Sequence, residues 1–541
     1  MKTHLRLIIF FFLAIAPLAA QQPELLKDIN AGTGSSYIIY MTTLGGKAVF
    51  KATNTGTNNE LWVTDGTADG TFMLREINPS PSAGSSVTQI TVYNSEAYFS
   101  ADDGEHGAEL WKTDGTSAGT VMVADIAPGE TGSKPGDLTV FKGELYFRAY
   151  HPDTGTELWK SDGTAAGTKL VKNLAEGAAS VQPGYLFPTS TCLYFIGLGN
   201  NNLYVSNGTA EGTGLVSDQV DIGILEEAFF TEYNNEVYFR GTDISGNPDG
   251  KGTQLWKVTG TGVCRVTDIV SGGNTTVLDP RHLTVAAGKL FFVGEESPNG
   301  RELWVYDGTA RMVKDINPSG HGNLGGFFAS FDGKLIFSAG DATTGIEPWV
   351  SDGTADGTKM ITDLWAGTMS SSMVSPVIIG DTLYFSANEA TGGEIWRLTD
   401  ADGQPEKFTN IDDGGAYGPE LARVGHTFVF QAGNAATGTE LWKMDLSGGT
   451  AVNTLENKAP SVNVYPNPIT GEYFLVLPDN MPLPAKMTVW DITGKPVVST
   501  TISERQASFM KGELPLKPGV YFIKLESGKV RITRRIIVAG I

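Results

Sequence analysis

Short runs of alternating apolar and polar residues succeed one another along most of the chain, each cut off by Gly, Asp, Asn or Pro. Such alternation marks half-buried β-strands. No segment of the repeating part sustains a helical period. The runs come in sets of four. An apolar, aromatic run such as EAYFSA at 96–101 or ELYFRA at 144–149 is preceded by one such as DLTVFKG at 137–143. A run containing Leu-Trp follows, as in ELWKTDGTSAGT at 109–120. A fourth run closes the set, as in TVMVADI at 120–126.

The sets repeat. ELWVTDGTADGT at 60–71 returns as ELWKSDGTAAGT at 157–168 and EPWVSDGTADGT at 347–358, with degraded copies between and after. Its aromatic position is filled by Trp62, Trp111, Trp159, Tyr204, Trp256, Trp304, Trp349, Trp396 and Trp442. The eight intervals from 62 to 442 average 47.5 residues. Four strands in a unit of roughly 40–50 residues is the pattern of a β-propeller blade. A lone four-stranded sheet leaves two apolar faces wet, and closing a ring of such sheets covers them all. Adjacent strand residues point to opposite faces, so Leu61 and Trp62 are expected to fill different blade interfaces. Each buried indole N–H is expected to need a partner. ELLKDINAG at 24–32 resembles the run that follows each turn, so the N-terminus is expected to lend a strand to the last blade. The fold expected is all-β: a large propeller of about eight or nine four-stranded blades, then a small Ig-like β-sandwich. Nine blades exceed the usual four to eight; eight blades with one aberrant repeat is the main alternative, and two smaller rings the next.

The Asp-Gly-Thr element reads as turn chemistry. Asp accepts from backbone N–H groups ahead of it, Gly takes positive φ, and Thr bonds back. Asp65, Asp114, Asp162, Asp307 and Asp352 are therefore turn caps. Calcium is the rival reading, but one carboxylate per turn falls short of six to eight oxygens. DADG at 400–403 resembles a fragment of a calcium loop without its distal Glu. No cofactor is expected.

Composition narrows the class. Gly is 67 of 541 residues and only 18% are charged, against both a helical bundle and charge-driven disorder. Net charge is −21, and residues 21–460 alone carry 27 bases against 54 acids. So acidic a surface repels phosphate backbones, so nucleic acid is not an expected partner. Two cysteines, Cys192 and Cys264, exclude a disulfide scaffold; both are expected unpaired and buried. The N-terminus has Lys2 and Arg6, a mostly apolar run from Leu7 to Leu18, and small residues at Ala19 and Ala20. This reads as a signal peptide over 1–20, cleaved after Ala20, and no membrane span is expected in the mature chain.

Catalytic motifs fail on context. GTSAG at 115–119 fits a nucleophile pattern, but its sibling repeats place Ala where Ser117 stands. GHGNLG at 320–325 fits a dinucleotide pattern without a following helix. His106, His151, His282, His321 and His426 show no metal-ligand spacing. No catalytic or metal residue is expected.

The rhythm changes after 455. A linker at 456–464 leads to about seven short alternating runs over 465–541, with a basic tail at Arg531, Arg534 and Arg535. Three pieces occur in order: Tyr465-Pro466-Asn467-Pro468, the Asp491 to Gly494-Lys495 run, and Gly519-Val520-Tyr521. This module resembles the type A C-terminal sorting domain of type IX secretion in Bacteroidetes. The resemblance implies Sec export to the periplasm, passage across the outer membrane by the type IX machinery, and release or surface attachment. Residues 21–455 resemble the ELWxxDGT-repeat proteins, a family that brings no enzymatic activity with it. The function expected is therefore that of a secreted or cell-surface, non-catalytic repeat protein that binds glycan or protein. The alternatives are a propeller-type carbohydrate-active enzyme and a passive surface-structural protein.

Overall fold

The computed structural model describes residues 22–445 and 463–538, apart from 56–57, 81–82, 176, 178, 224–229, 245–250, 261, 272–275, 326, 342, 412–413, 466–472, 477–482, 492–494, 504–505, 510–515, 517–518 and 528–529. Ala20, Pro466, Asn467, Pro468 and Gly494 lie outside the described residues. No helix occurs among those described. Two compact units divide the chain, Met1–Gly449 and Thr450–Ile541.

The first unit is built of antiparallel four-stranded sheets whose strands run in sequence order. Blade 1 comprises Ile39–Leu44, Lys47–Thr55, Asn58–Thr64 and Phe72–Arg75. Blades 2 to 8 span 88–124, 136–172, 183–217, 220–265, 281–314, 328–360 and 374–407. Blade 9 takes three strands from Gly414–Val424, Thr427–Asn434 and Gly438–Asp445. Its fourth is Glu24–Lys27, with Leu25 opposite Trp442. Blade 5 alone divides its inner place between Val220–Asp221 and Phe230–Tyr233.

The Leu-Trp pair explains why the sheets stack. Leu61 packs with Val49, Phe99 and Trp111 between blades 1 and 2, while Trp62 packs with Ile38, Phe50 and Leu441 between blades 9 and 1. Leu of one blade therefore meets Trp of the next. The relation recurs as Leu110 with Trp159, Leu203 with Trp256, Leu255 with Trp304 and Leu303 with Trp349. Nine such apolar clusters occur among the described residues: eight join each blade to its successor, and the ninth joins blade 9 to blade 1. The ring is closed and has nine blades. Neither the eight-bladed alternative nor a pair of smaller rings occurs, because the degraded copies keep their strands.

The indoles depart from expectation. Among the described residues, only Trp256 of the repeat indoles finds a protein acceptor, Gly241 O at 2.9 Å. The N–H groups of Trp62, Trp111, Trp159, Trp304, Trp349, Trp396 and Trp442 find none among the described residues. Magnitudes account for this. An unmade bond costs about 1–3 kcal/mol. Burying roughly 200 Å² of indole returns about 5 kcal/mol.

The second unit has seven described strands. Asn463–Tyr465, Tyr473–Val476 and Gln506–Phe509 make a three-stranded sheet. Pro496–Ile502, Ala485–Asp491, Gly519–Ser527 and Val530–Val538 make a four-stranded one. Leu475 from the first sheet and Met487, Val489, Ile523 and Leu525 from the second are buried.

Candidate binding face of the propeller

The recurrent polar residues serve the scaffold. Asp65 Oδ1 accepts from Thr67 N at 2.9 Å and Thr67 Oγ1 at 2.7 Å. Thr67 Oγ1 in turn accepts from Gly70 N at 2.9 Å. A Cβ on Gly70 would lie 2.0 Å from that carboxylate, and Gly66 sits at φ 87°, so both glycines are required. Asp114, Asp162 and Asp352 build the same turn. The Thr hydroxyl bonds hold the carboxyls of Asp65, Asp114, Asp162 and Asp352 below their usual range. Asp307 differs: its carboxylate takes both guanidinium nitrogens of Arg311, at 2.7 and 2.9 Å. The DADG segment does not suit a cation, because Asp402 already faces the ammonium groups of Lys334 and Lys359.

A second scaffold residue escaped the sequence reading. The Glu two residues before the Trp is wholly buried in six blades: Glu60, Glu109, Glu157, Glu302, Glu347 and Glu440. Each pins the link to the next blade. Glu109 accepts from Ile126 N, Ala127 N and Ser133 N at 2.9–3.0 Å. Glu302 accepts from Ile316 N at 2.9 Å. Gln254 takes the place in blade 5, accepting from Ile269 N at 3.2 Å and donating to Ile269 O at 2.8 Å. Desolvation outweighs these bonds and pushes Glu157, Glu302 and Glu440 up to about 7. The clue was the recurrence of a carboxylate inside an otherwise apolar strand.

The non-repeating chemistry gathers on the inner strands. Where six of them, in blades 1 to 4, 6 and 8, enter the sheet, two non-glycine residues three apart take left-handed φ near 50°. The pairs are Tyr37/Tyr40, Ser86/Gln89, Lys134/Asp137, Gln182/Tyr185, Asp279/His282 and Ser372/Ser375. The register shifts beside them, as between Ile39 and Thr42 or Gly136 and Thr139. These are β-bulges, devices that re-aim side chains. Unlike the Leu-Trp and turn positions, this pair changes residue type from blade to blade.

Bonds across the seams tie the pairs into one face. Glu420 of blade 9 accepts from Tyr40 N at 2.9 Å and Met41 N at 2.5 Å. Gln89 accepts from Asp137 N, and Asp137 accepts from Tyr185 N at 3.1 Å. The inner strands of blades 1 to 4 border a cavity of about 440 Å³. Between blades 5 and 6, Arg240 and Arg281 both clasp Asp279, at 2.7 and 2.6 Å, and Arg301 bonds Glu295 at 2.9 Å. Those guanidiniums hold the Asp279 carboxyl low despite its burial.

The remaining reactive types are dispersed. Ser117 is an exposed turn residue. His106 bonds Asp103 at 2.8 Å, His282 stacks on Phe328, and His321 Nδ1 accepts from Arg301 N at 3.0 Å. Cys192 and Cys264 are unpaired, and half-exposed rather than buried, because Cys192 sits in the turn between the first two strands of blade 4 and Cys264 on the outermost strand of blade 5. Among the described residues no three His, Cys, Asp or Glu side chains converge on a metal position. In the second unit, Asp491 lies opposite Tyr521, and Gly519 and Val520 pair with Val538 and Ile537. Tyr465 stands on the other sheet, opposite Phe474.

Residues 463–539 match the secretion system C-terminal sorting domain. The chain thus carries the type IX tail that directs export to the cell surface or beyond. No curated protein matches the chain. Among solved structures it is similar to a Mycobacterium tuberculosis puromycin-hydrolyzing peptidase, at 11% identity and TM-score 0.35, covering 76% of this chain and 61% of that one. It is similar also to the β-propeller domain of the Trilobed protease from Pyrococcus furiosus, at 11% identity and TM-score 0.34, covering 70% and 100%. A third is PorZ, a bacterial surface component of the type-IX secretion system of Porphyromonas gingivalis. It shows 11% identity and TM-score 0.19, covering 93% and 86%. The chain spans about three fifths of the puromycin-hydrolyzing peptidase. At these scores the likenesses carry no activity, and the fold rests on the sheets themselves. No helix among the described residues is long and apolar enough to cross a membrane.

Proposed function

We propose that this is an ELWxxDGT-repeat protein of a Bacteroidetes cell, passed through Sec and the type IX machinery. Outside the cell it binds glycan or protein without transforming it. One observation carries the reading: the residues that vary between blades occupy paired, left-handed positions on a single face, over a scaffold that otherwise repeats. A passive spacer has no use for that backbone strain, which costs roughly 1–2 kcal/mol per residue. An enzyme of the glycosidase type needs a carboxyl kept protonated. Asp279, a largely buried carboxylate of this face, is instead held ionised by arginine. Glu420, whose carboxyl burial pushes up, has both oxygens committed to the backbone N–H groups of Tyr40 and Met41.

The test is a glycan and surface-protein array probed with the full mature chain and with a Tyr37→Asp/Tyr40→Asp variant. Ligand retention by the first and loss by the second is the expected result. Retention of nothing, together with turnover of polysaccharide substrates, favours the enzyme.

A further inference from the structure

The seam between blades 3 and 4 encloses a cavity of about 450 Å³ on the varying face, bordered by Lys134, Arg148, Tyr150, Thr156, Gln182 and Leu198. Backbone bonds frame it: Tyr150 N to Ser133 O at 2.7 Å, Gln182 N to Thr156 O at 3.0 Å and Leu198 N to Gln182 O at 2.9 Å. The walls are therefore set before any ligand arrives, and the volume lies within the range of small-molecule sites.

Its charge runs against that of the unit. Residues 21–460 carry twice as many acids as bases, yet two cations meet here. Lys134 is exposed, its side chain has no partner among the described residues, and its φ is 50°. Arg148 pairs with Asp137, whose other oxygen is taken by Tyr185 N. Two cations and one committed anion leave a net positive pocket. Gln182, also left-handed at φ 54°, adds an amide, Thr156 a hydroxyl and Tyr150 a half-buried ring.

From this geometry we infer that the blade 3–4 seam is a subsite for one acidic sugar unit of a carboxylated or sulfated glycan. The anionic group meets Lys134 and the free edge of Arg148. Sugar hydroxyls meet Gln182 and Thr156, and the apolar face of the ring lies on Tyr150. The arginines about Asp279, two seams further on, extend the same sign of charge along the face. The inference rests on the binding reading above and narrows its ligand.

Calorimetry on the full mature chain tests it with four probes: an oligouronate hexamer, a sulfated glucan hexamer, a neutral glucan hexamer and hexaglutamate. At low salt, an acidic hexasaccharide is expected to bind at least tenfold tighter than the neutral one, the uronate and sulfate arms showing which anion is preferred. Lys134→Ala is expected to weaken it at least fivefold with unchanged melting, and Tyr150→Ala to weaken it as well. Three results overturn the inference: no preference for acidic sugar, indifference to Lys134→Ala, or hexaglutamate binding equally while Tyr150→Ala has no effect. If a neutral glycan binds, is lost with the Tyr37/Tyr40 variant and ignores Lys134→Ala, the subsite is wrong and the binding reading stands.

Discussion

Ile29 donates its backbone N–H to the carboxylate of Glu440 at 2.7 Å, across 411 residues of sequence. With Leu25 opposite Trp442, this bond closes the ring. The strand that makes it has one face inside and one outside. Leu26 is 5% exposed within the blade 9–1 cluster, whereas Leu25 is 36% exposed. Leu26→Ala is expected to cost about 2–4 kcal/mol and Leu25→Ala under about 0.5 kcal/mol. Denaturant unfolding of the two variants checks the asymmetry; equal costs would mean the strand is not seated as described.

The buried glutamates predict an acid-favouring propeller. A carboxyl whose folded pKa is raised binds a proton that the unfolded chain has lost. Stability then falls as pH rises from about 4.5 through about 7, the window set by Glu157, Glu302 and Glu440. The turn aspartates act oppositely, losing their contribution as pH falls below about 3.8. Thermal melting between pH 4 and 8 is expected to peak near the acid end. Glu157→Gln is expected to flatten that slope, since Gln254 already serves blade 5 in neutral form.

Indoles without acceptors predict an uneven response to phenylalanine. Trp111→Phe removes an N–H that bonds no atom among the described residues, so about 1 kcal/mol or less is expected. Trp256→Phe also strands Gly241 O and is expected to cost about 1 kcal/mol more. Trp111→Ala is expected to cost about 3–5 kcal/mol, because it empties the seam. Chemical denaturation of the three variants decides, and equal Phe costs would contradict the bonding described.

The turn aspartates separate in the same way. Asp114→Ala removes a carboxylate that accepts two bonds from Thr116 and is expected to cost about 1–2 kcal/mol. Asp307→Ala breaks only an exposed pair with Arg311 and is expected to cost under about 1 kcal/mol. Comparison of the two melting curves tests whether the aspartates are interchangeable; identical losses would show that they are.

Leu61 and Trp62 made the ring legible, because alternation in one strand demands two neighbouring sheets. The blade number was harder. Copies such as EIWRLTDADG keep the strand but lose the turn, and blade 5 splits its inner strand, so spacing alone left eight and nine open. The bonding of Glu109 has no signature in the sequence, because its partners, Ile126, Ala127 and Ser133, lie 17 to 24 residues away in a link of no fixed sequence. The face at Lys134 and Gln182 was invisible for a different reason. Left-handed backbone at a lysine or glutamine has no residue-type signal of the kind glycine gives.

The closing strand at Glu24–Lys27 has a consequence for the order of events in the cell. It is the first blade strand synthesised and the last to find its berth, since its neighbour at Gly438–Asp445 arrives only after eight blades are complete. A ribosome that stalls early, or a protease that clips late, leaves an arc with two oily ends. The sorting tail, matched from residue 463, follows that final blade in sequence, so the strand that receives Glu24–Lys27 is synthesised before the tail is.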